Sequence, residues 1–404
     1  MRIGILLLSF LCLFIQGAEA KINRKALLQR NSPIVHGFDS LSSLSVGNGG
    51  FAVTVDATGL QTFPTHYSKG VPLGTQSDWG WHSFANPKRY TPEDAYRDYD
   101  FGRGRMEPYS VQFNEPGRQQ DAANWLRINP HRLHLGVVGF ELPSTVTFDD
   151  FADVTQTLLL GSGIIDSRYT LQGVPVHVQT VCHPERDLLA ARVKAGQPMP
   201  IRLHFPYPTG EHADDACDWD ADSKHHTTLV SRRNNLAVFR RTIDATTYYV
   251  VVQWQGDVLI AQPSANCFVL TPSTGDFAFS CEFLPTYTTT FTDYLLPTFG
   301  EAATASATAW AKFWNEGGVV DFSACTDPRA PELERRVVLS QYLMAIQAAG
   351  DTPPQETGLT YNSWYGKFHL EMIWWHQSHF PLWGHADKLH HTLSWYEKAR
   401  PMAR

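Results

Sequence analysis

The 404-residue chain carries a formal net charge of −7, with 18% charged and 12% aromatic residues. So mild an acidity gives no reason to expect nucleic acid or an anionic membrane as a partner. A hydrophobic content of 43%, punctuated by 29 Gly and 25 Pro, belongs to a loop-rich globular protein and excludes a disordered chain.

In chain order the first element is a leader. Arg2 supplies a positive start, Ile3 to Ile15 an apolar run, and Ala18-Glu19-Ala20 a small-residue cleavage site. The run is too short to span a bilayer comfortably, and no later segment is long and apolar enough to cross one. Residues 1–20 are therefore expected to be a signal peptide cut after Ala20. That leaves a secreted or periplasmic protein with no stable membrane insertion. Cys12 lies in the apolar run without the small residues that a lipidation signal places before it. Cys182, Cys217, Cys267, Cys281 and Cys325 follow, too sparse for a disulfide scaffold, and their odd number leaves at least one thiol unpaired. Cys267 and Cys281 either face each other across neighbouring strands or are buried free thiols.

Residues 21–285 read as an antiparallel β-sandwich. SLSVGNGGFAVTVDATGLQTF shows two alternating apolar runs around Gly47-Asn48-Gly49-Gly50, a turn that needs positive φ. Short apolar runs recur down to DFAFSCEFL with Gly, Pro, Asn and Asp between them. Gln76 to Glu107 has no clear period and is expected to be a long loop with a possible helix. Its Trp79, Trp81, His82, Tyr90 and Tyr96, and the polar-aromatic cluster Asn124 to Arg127 with Asn129 to Arg132, either pack their own loops or aim at a ligand. The acidic run Glu211 to His226 lacks the Gly-centred spacing of an EF-hand and reads as a solvated insertion.

The period changes after Pro285. Residues 286–330 form a helical linker, Ala-rich, with Trp310 and Trp314 one turn apart and Gly317-Gly318 as a stop. From Pro331 to Gly350 an amphipathic helix opens with Glu332 and Glu334 in its first turn. A loop, PPQETGLTYNSWYG, leads into FHLEMIWWHQSHF, expected to be a third helix, and PLWGHADKLHHTLSWYEKARPMAR begins a fourth.

The aromatic segment Tyr361–Pro381 carries the chemistry. Its rings can stack on the apolar faces of sugars while Glu371, the histidines and Lys367 bond to hydroxyls. On a helix from Lys367 to Ser378, Lys367, Glu371, Trp374, Trp375 and Ser378 would share one face, and His369, Met372, Ile373 and His376 another. Such a helix has no polar outer face, so it is expected to be enclosed, either as a sugar pocket or as a core helix with Lys367 pairing Glu371. Glycoside cleavage needs two carboxyl groups, and Glu356 and Glu371 flank the aromatic loop as weak catalytic candidates. His369, His376 and His379 do not have HExxH spacing, and there is no CxxC, Gly-x-Ser-x-Gly, GxGxxG or phosphate loop, so no metal or cofactor is expected.

Taken together, SVGNGGFAV, the large sandwich, the Ala/Trp linker helix and FHLEMIWWHQSHFPLW make the chain resemble glycoside hydrolase family 65 and its six-hairpin relatives. The resemblance implies an N-terminal β-supersandwich followed by an (α/α)6 barrel, of which residues 331–404 would be the first, incomplete hairpins. It implies a carbohydrate substrate and an inverting hydrolase or a phosphorylase, with export favouring the hydrolase. It places Glu371 as a substrate-binding carboxylate with His369 and Trp374 beside it, and Trp364, Tyr365 and Lys367 in the loop reaching the same pocket; Trp375 and His376 of the same segment are further substrate-binding candidates. In that family the general acid lies on a later barrel helix, so the catalytic acid is expected to be missing from this fragment. The alternative is a non-catalytic carbohydrate-binding or assembly protein. A polysaccharide lyase is disfavoured because lyases put the helical toroid first.

Overall fold

A computed structural model describes residues 22–286 and 294–403. The expected signal peptide, residues 1–20, lies outside the described residues.

The β-then-α order expected from the sequence holds. Nine antiparallel strands form the main sheet, in the spatial order Ile34–Val35, Phe151–Leu159, Ile164–Leu171, Val174–Cys182, Leu188–Ala195, Asp276–Leu284, Thr246–Trp254, Leu236–Ile243 and His225–Arg233. Against it lie a four-stranded sheet (Val258–Ser264, Cys267–Pro272, Ile201–His204, Val137–Phe140) and a three-stranded one (Leu44–Gly47, Phe51–Val55, Thr75–Ser77). The alternation of the central strands explains the layering. Val250 and Val252 enter the core shared with the smaller sheets, whereas Val251 faces the other way, onto Leu296 and Ala302. A sheet covered on both faces needs near-continuous apolar strands, and TYYVVVQW supplies one.

Five longer helices accompany the sheets: α1 (Arg24–Asn31), α2 (Arg118–Ile128), α3 (Phe299–Glu316), α4 (Ala330–Gln347) and α5 (Ala386–Ala399). A Thr298/Glu301 capping box starts α3, and α3 packs on the main sheet instead of bridging free space. Its Trp310 stacks on Trp314 at 6.1 Å and on Tyr342 of α4 at 4.6 Å. The helix α4 buries Val338, Tyr342, Ala345 and Ile346.

The glycine turn joins the two layers. Asn48 Oδ1 accepts from the backbone N–H of Gly50 (3.1 Å) and Phe51 (2.8 Å), which closes the turn, and Gly49 takes φ +105°. Gly49 then donates to the Ile346 carbonyl at 2.9 Å and accepts from Ala349 at 3.3 Å. The carbonyl end of α4 thus finds its missing donor in the sandwich. At the other end of α4, Glu334 accepts from Arg30 and Asn31 of α1.

Several expectations need correction. Gln76 to Glu107 is not one long loop: it holds the strand Trp81–His82 and the first strand of a hairpin, Tyr96–Asp100 paired with Met106–Ser110. The sandwich also contains α2, whose RQQDAANWLRI pattern was too polar to read as a helix. Cys267 and Cys281 sit in different sheets and not on neighbouring strands, and all five described cysteines are free thiols. Among the described residues no helix is long and apolar enough to cross a membrane.

Candidate functional site

The expected helix from Lys367 to Ser378 is not formed. Lys367 to His369 is extended or irregular, Leu370–Met372 is a single 3-10 turn, and only Ile373–Gln377 is α-helical. The shared face therefore does not exist. Trp374 and Trp375 are 67% and 70% exposed, and Leu370 and Leu382 are exposed beside them in sequence, so the segment is not enclosed. Glu371 lies on the open surface and makes no hydrogen bond or ion pair among the described residues.

The structure assembles a different set. Trp364 (φ 49°) and Tyr365 (φ 60°) are consecutive left-handed, non-glycine residues. That conformation costs of order 1–3 kcal/mol per residue and persists only where neighbours impose it. They do so here: Tyr365 N donates to His212 O at 3.1 Å, and Asn362 bridges to Asp214. The acidic loop is thus no free insertion but the wall against which the aromatic loop is built. The turn holds the Trp364 ring 4.6 Å from the His212 imidazole and 5.3 Å from His369, with the Arg127 guanidinium 5.4 Å from its centroid. Glu356 stands on the far side of His369, its Oε2 3.7 Å from Nδ1. That oxygen is shut off from solvent and accepts no hydrogen bond among the described residues. Buried His376 donates through Nε2 to the Glu356 carbonyl at 2.8 Å, and burial pulls its pKa down. His376 is therefore scaffold for Glu356, and the imidazoles beside Trp364 are those of His212 and His369.

Lys367 does not pair with Glu371. Its Nζ donates to the carbonyls of Leu126 (3.1 Å), Arg127 (2.7 Å) and Asn129 (3.2 Å), a cation at the carbonyl end of α2. Three N–H groups meet three acceptors, which locks the aromatic loop onto the sandwich. Burial, with Arg127 nearby, pushes the ammonium down to about 8. The unfolded chain thus holds this proton more tightly, and the group makes folding stability rise from pH 8 towards the usual 10.5. Locally, deprotonation leaves two donors for three carbonyls. We expect the Lys367 ε-carbon resonance to titrate with a midpoint near pH 8; a midpoint of 10 or above would show that the ammonium is not enclosed.

A polar cavity of about 660 Å³ lies between the glycine turn and α5, lined among others by Asp78, Trp79, Asp187, Asp351, Lys388 and His391. Burial raises the Asp78 carboxyl to about 6 and also raises Asp187, which accepts from Ser77 Oγ (2.5 Å) and Trp79 Nε1 (2.7 Å). Trp79 is thereby committed to packing. So is Trp81, whose ring lies 3.9 Å under the Arg132 guanidinium, and His82, which bonds His131 and Asp244. Tyr90 packs on Trp125, while the cluster around Arg127 reaches the site. Sequence reading missed His212 and Asp187 altogether: each stands alone in a polar run, and only the fold brings them beside an indole.

No family model and no curated protein matches the sequence. Among solved structures, a protein assigned as a kojibiose phosphorylase from the human microbiome aligns with 83% of this chain and 44% of its own, at 9% identity and a TM-score of 0.50. A bacterial glucoamylase complexed with acarbose aligns over 90% of this chain and 51% of its own, at 9% identity and a TM-score of 0.45. A family GH92 alpha-mannosidase from Bacteroides thetaiotaomicron covers 78% and 40%, at 9% identity and a TM-score of 0.31. The first likeness shows the fold alone, a β-sandwich at the N-terminus followed by helices. The chain spans less than half the length of that phosphorylase.

Proposed function

We propose that this chain carries the sugar-recognition elements of an exported glycoside hydrolase that cleaves an oligo- or polysaccharide with inversion. The observation that supports this reading is the left-handed Trp364–Tyr365 turn, which presents an indole between groups from both layers: Arg127 and His212 from the sandwich, His369 and Glu356 from the helical side. An indole face with a guanidinium, imidazoles and a carboxylate around it suits a sugar ring and its hydroxyls. In this reading Glu356 binds a hydroxyl through its open oxygen, the other being closed to solvent. The general acid is taken to be none of the candidates above. Glu371 and the exposed pair Trp374 and Trp375 have no part in the cluster.

Calorimetry on the leader-free chain with kojibiose and α-linked glucosyl trisaccharides tests the reading. Saturable binding is expected, weakened at least tenfold by Trp364→Ala and by Glu356→Gln. Unchanged affinity in both variants, or no binding by the parent, would sink it. The solved neighbour assigned as a phosphorylase gives a second reading, separable by product analysis of the full protein with and without inorganic phosphate. Export itself is checked by N-terminal sequencing of material from the periplasm or medium, with Lys21 expected as the first residue.

A further inference from the structure

The hairpin Tyr96–Asp100/Met106–Ser110 forms a two-stranded sheet of its own, joined to no other strand among the described residues. Its register sets Arg97 opposite Tyr109 and Tyr99 opposite Glu107, and the pairing continues where Phe101 N donates to Arg105 O at 2.9 Å. Alternation then puts Tyr99, Phe101 and Tyr109 on one face. All three rings are exposed, at 41%, 57% and 55%. They touch: Tyr109 meets Tyr99 edge-on at 6.3 Å and lies tilted by 36° to Phe101 at 5.6 Å. The tyrosine hydroxyls make no hydrogen bond among the described residues, and Arg105 and Glu107, paired at 2.8 Å, flank the rings. Three clustered exposed rings at one hairpin are more than scattered surface apolarity requires.

We infer that this hairpin is a second saccharide-binding surface, one that grips a neutral polysaccharide chain away from Trp364. The inference rests on the saccharide reading above. Two features favour a sugar polymer over a second protein chain. The free edges are guarded against strand addition by Asp98, Asp100, Arg105 and Glu107 and by Pro108 within the second strand, so the ring face is what the hairpin offers. The hairpin is also continuous with the site. Val111 N donates to Ala95 O at 3.0 Å, Asp94 pairs with Arg118 at the start of α2 (2.8 Å), and the far end of α2 holds Lys367 beside Trp364. Eleven helical residues span about 16 Å, a gap that a polymer crosses and a disaccharide does not.

The test is affinity electrophoresis of the leader-free chain in native gels containing amylopectin or yeast mannan, alongside trisaccharide calorimetry. Phe101→Ser/Tyr109→Ser is expected to weaken polysaccharide retardation at least tenfold while leaving trisaccharide affinity unchanged; both side chains are exposed, and an unaltered melting curve confirms folding. Retardation that survives the double substitution, or that the parent never shows, overturns the inference. So does a parent whose dimerisation, seen by sedimentation velocity, is abolished by the substitutions with retardation intact, since the occupant is then a second copy. Loss of retardation with no trisaccharide binding at any site would uphold the hairpin and remove the Trp364 site instead.

Discussion

Replacing Gly49 by alanine is expected to destabilise the protein by roughly 3 kcal/mol, by loosening the helices from the sandwich. Two costs combine. At φ +105° an L side chain is strained, by about 1–3 kcal/mol. The added Cβ would also lie 2.8 Å from the Ala349 carbonyl oxygen, and overpacking of this kind costs about 1–3 kcal/mol. That obstacle is backbone held by the Gly49–Ile346 and Ala349–Gly49 hydrogen bonds, so it cannot swing aside. Gly50→Ala is the control: its Cβ would lie 3.3 Å from the Asp78 carboxylate and at an ordinary 3.6 Å from Gly350 Cα, without positive φ, and a smaller loss is expected. Urea unfolding read by tryptophan fluorescence measures both. A Gly49→Ala midpoint indistinguishable from that of the parent would mean that the turn does not bear the contact described.

The second large effect is expected from Glu334→Ala, at about 3 kcal/mol. The carboxylate side chain is 3% exposed and accepts from Arg30 Nε (2.8 Å), Arg30 Nη2 (2.9 Å), Asn31 Nδ2 (2.7 Å) and Phe322 N (2.6 Å). Deleting it removes four hydrogen bonds at once; Arg30 Nη2 keeps Asp321 and Asn31 Nδ2 keeps the Leu27 carbonyl, while the donors left unpaired cost more than their bonds were worth. The partly exposed Arg30 can rehydrate, which keeps the estimate at the lower end. The pH dependence has a definite sign. The Arg30 hydrogen bonds hold the Glu334 carboxyl below its ordinary value. Its contribution is therefore complete above the unfolded-chain value near 4.3 and disappears as pH falls through the folded one. Glu334→Gln should flatten that acid limb of the stability curve. A limb as steep as the parent's would assign it to other carboxylates.

Much of the architecture was legible because it rests on local periodicity. The alternation around GNGG, the Ala-rich run ending in Trp310 and Trp314, and the amphipathic run from Pro331 each encode an element without help from elsewhere. The aromatic segment misled for the converse reason. FHLEMIWWHQ has helical composition, but Lys367 is drawn to the end of α2, some 240 residues earlier in the chain, and that tertiary tie overrides a weak propensity. Spacing along a helix that does not form then assigned Glu371, Trp374 and Trp375 to a face they do not share. Glu356, Trp364 and His369 come together because two strained residues turn the chain, and a left-handed Trp-Tyr pair leaves no mark in sequence.

The clasp on α1 also bears on the order of assembly. Arg24 donates to the carbonyls of Trp314 and Gly317, and Arg30 reaches Glu334, contacts separated by 290 to 304 residues. During synthesis Leu27 and Leu28 can join the sandwich core once the strands near residue 160 have emerged, but the two arginines wait for α3 and α4. Contacts this distant in sequence form late and fold slowly. The apolar side of α1 can thus dock early while its two arginines close their clasp late.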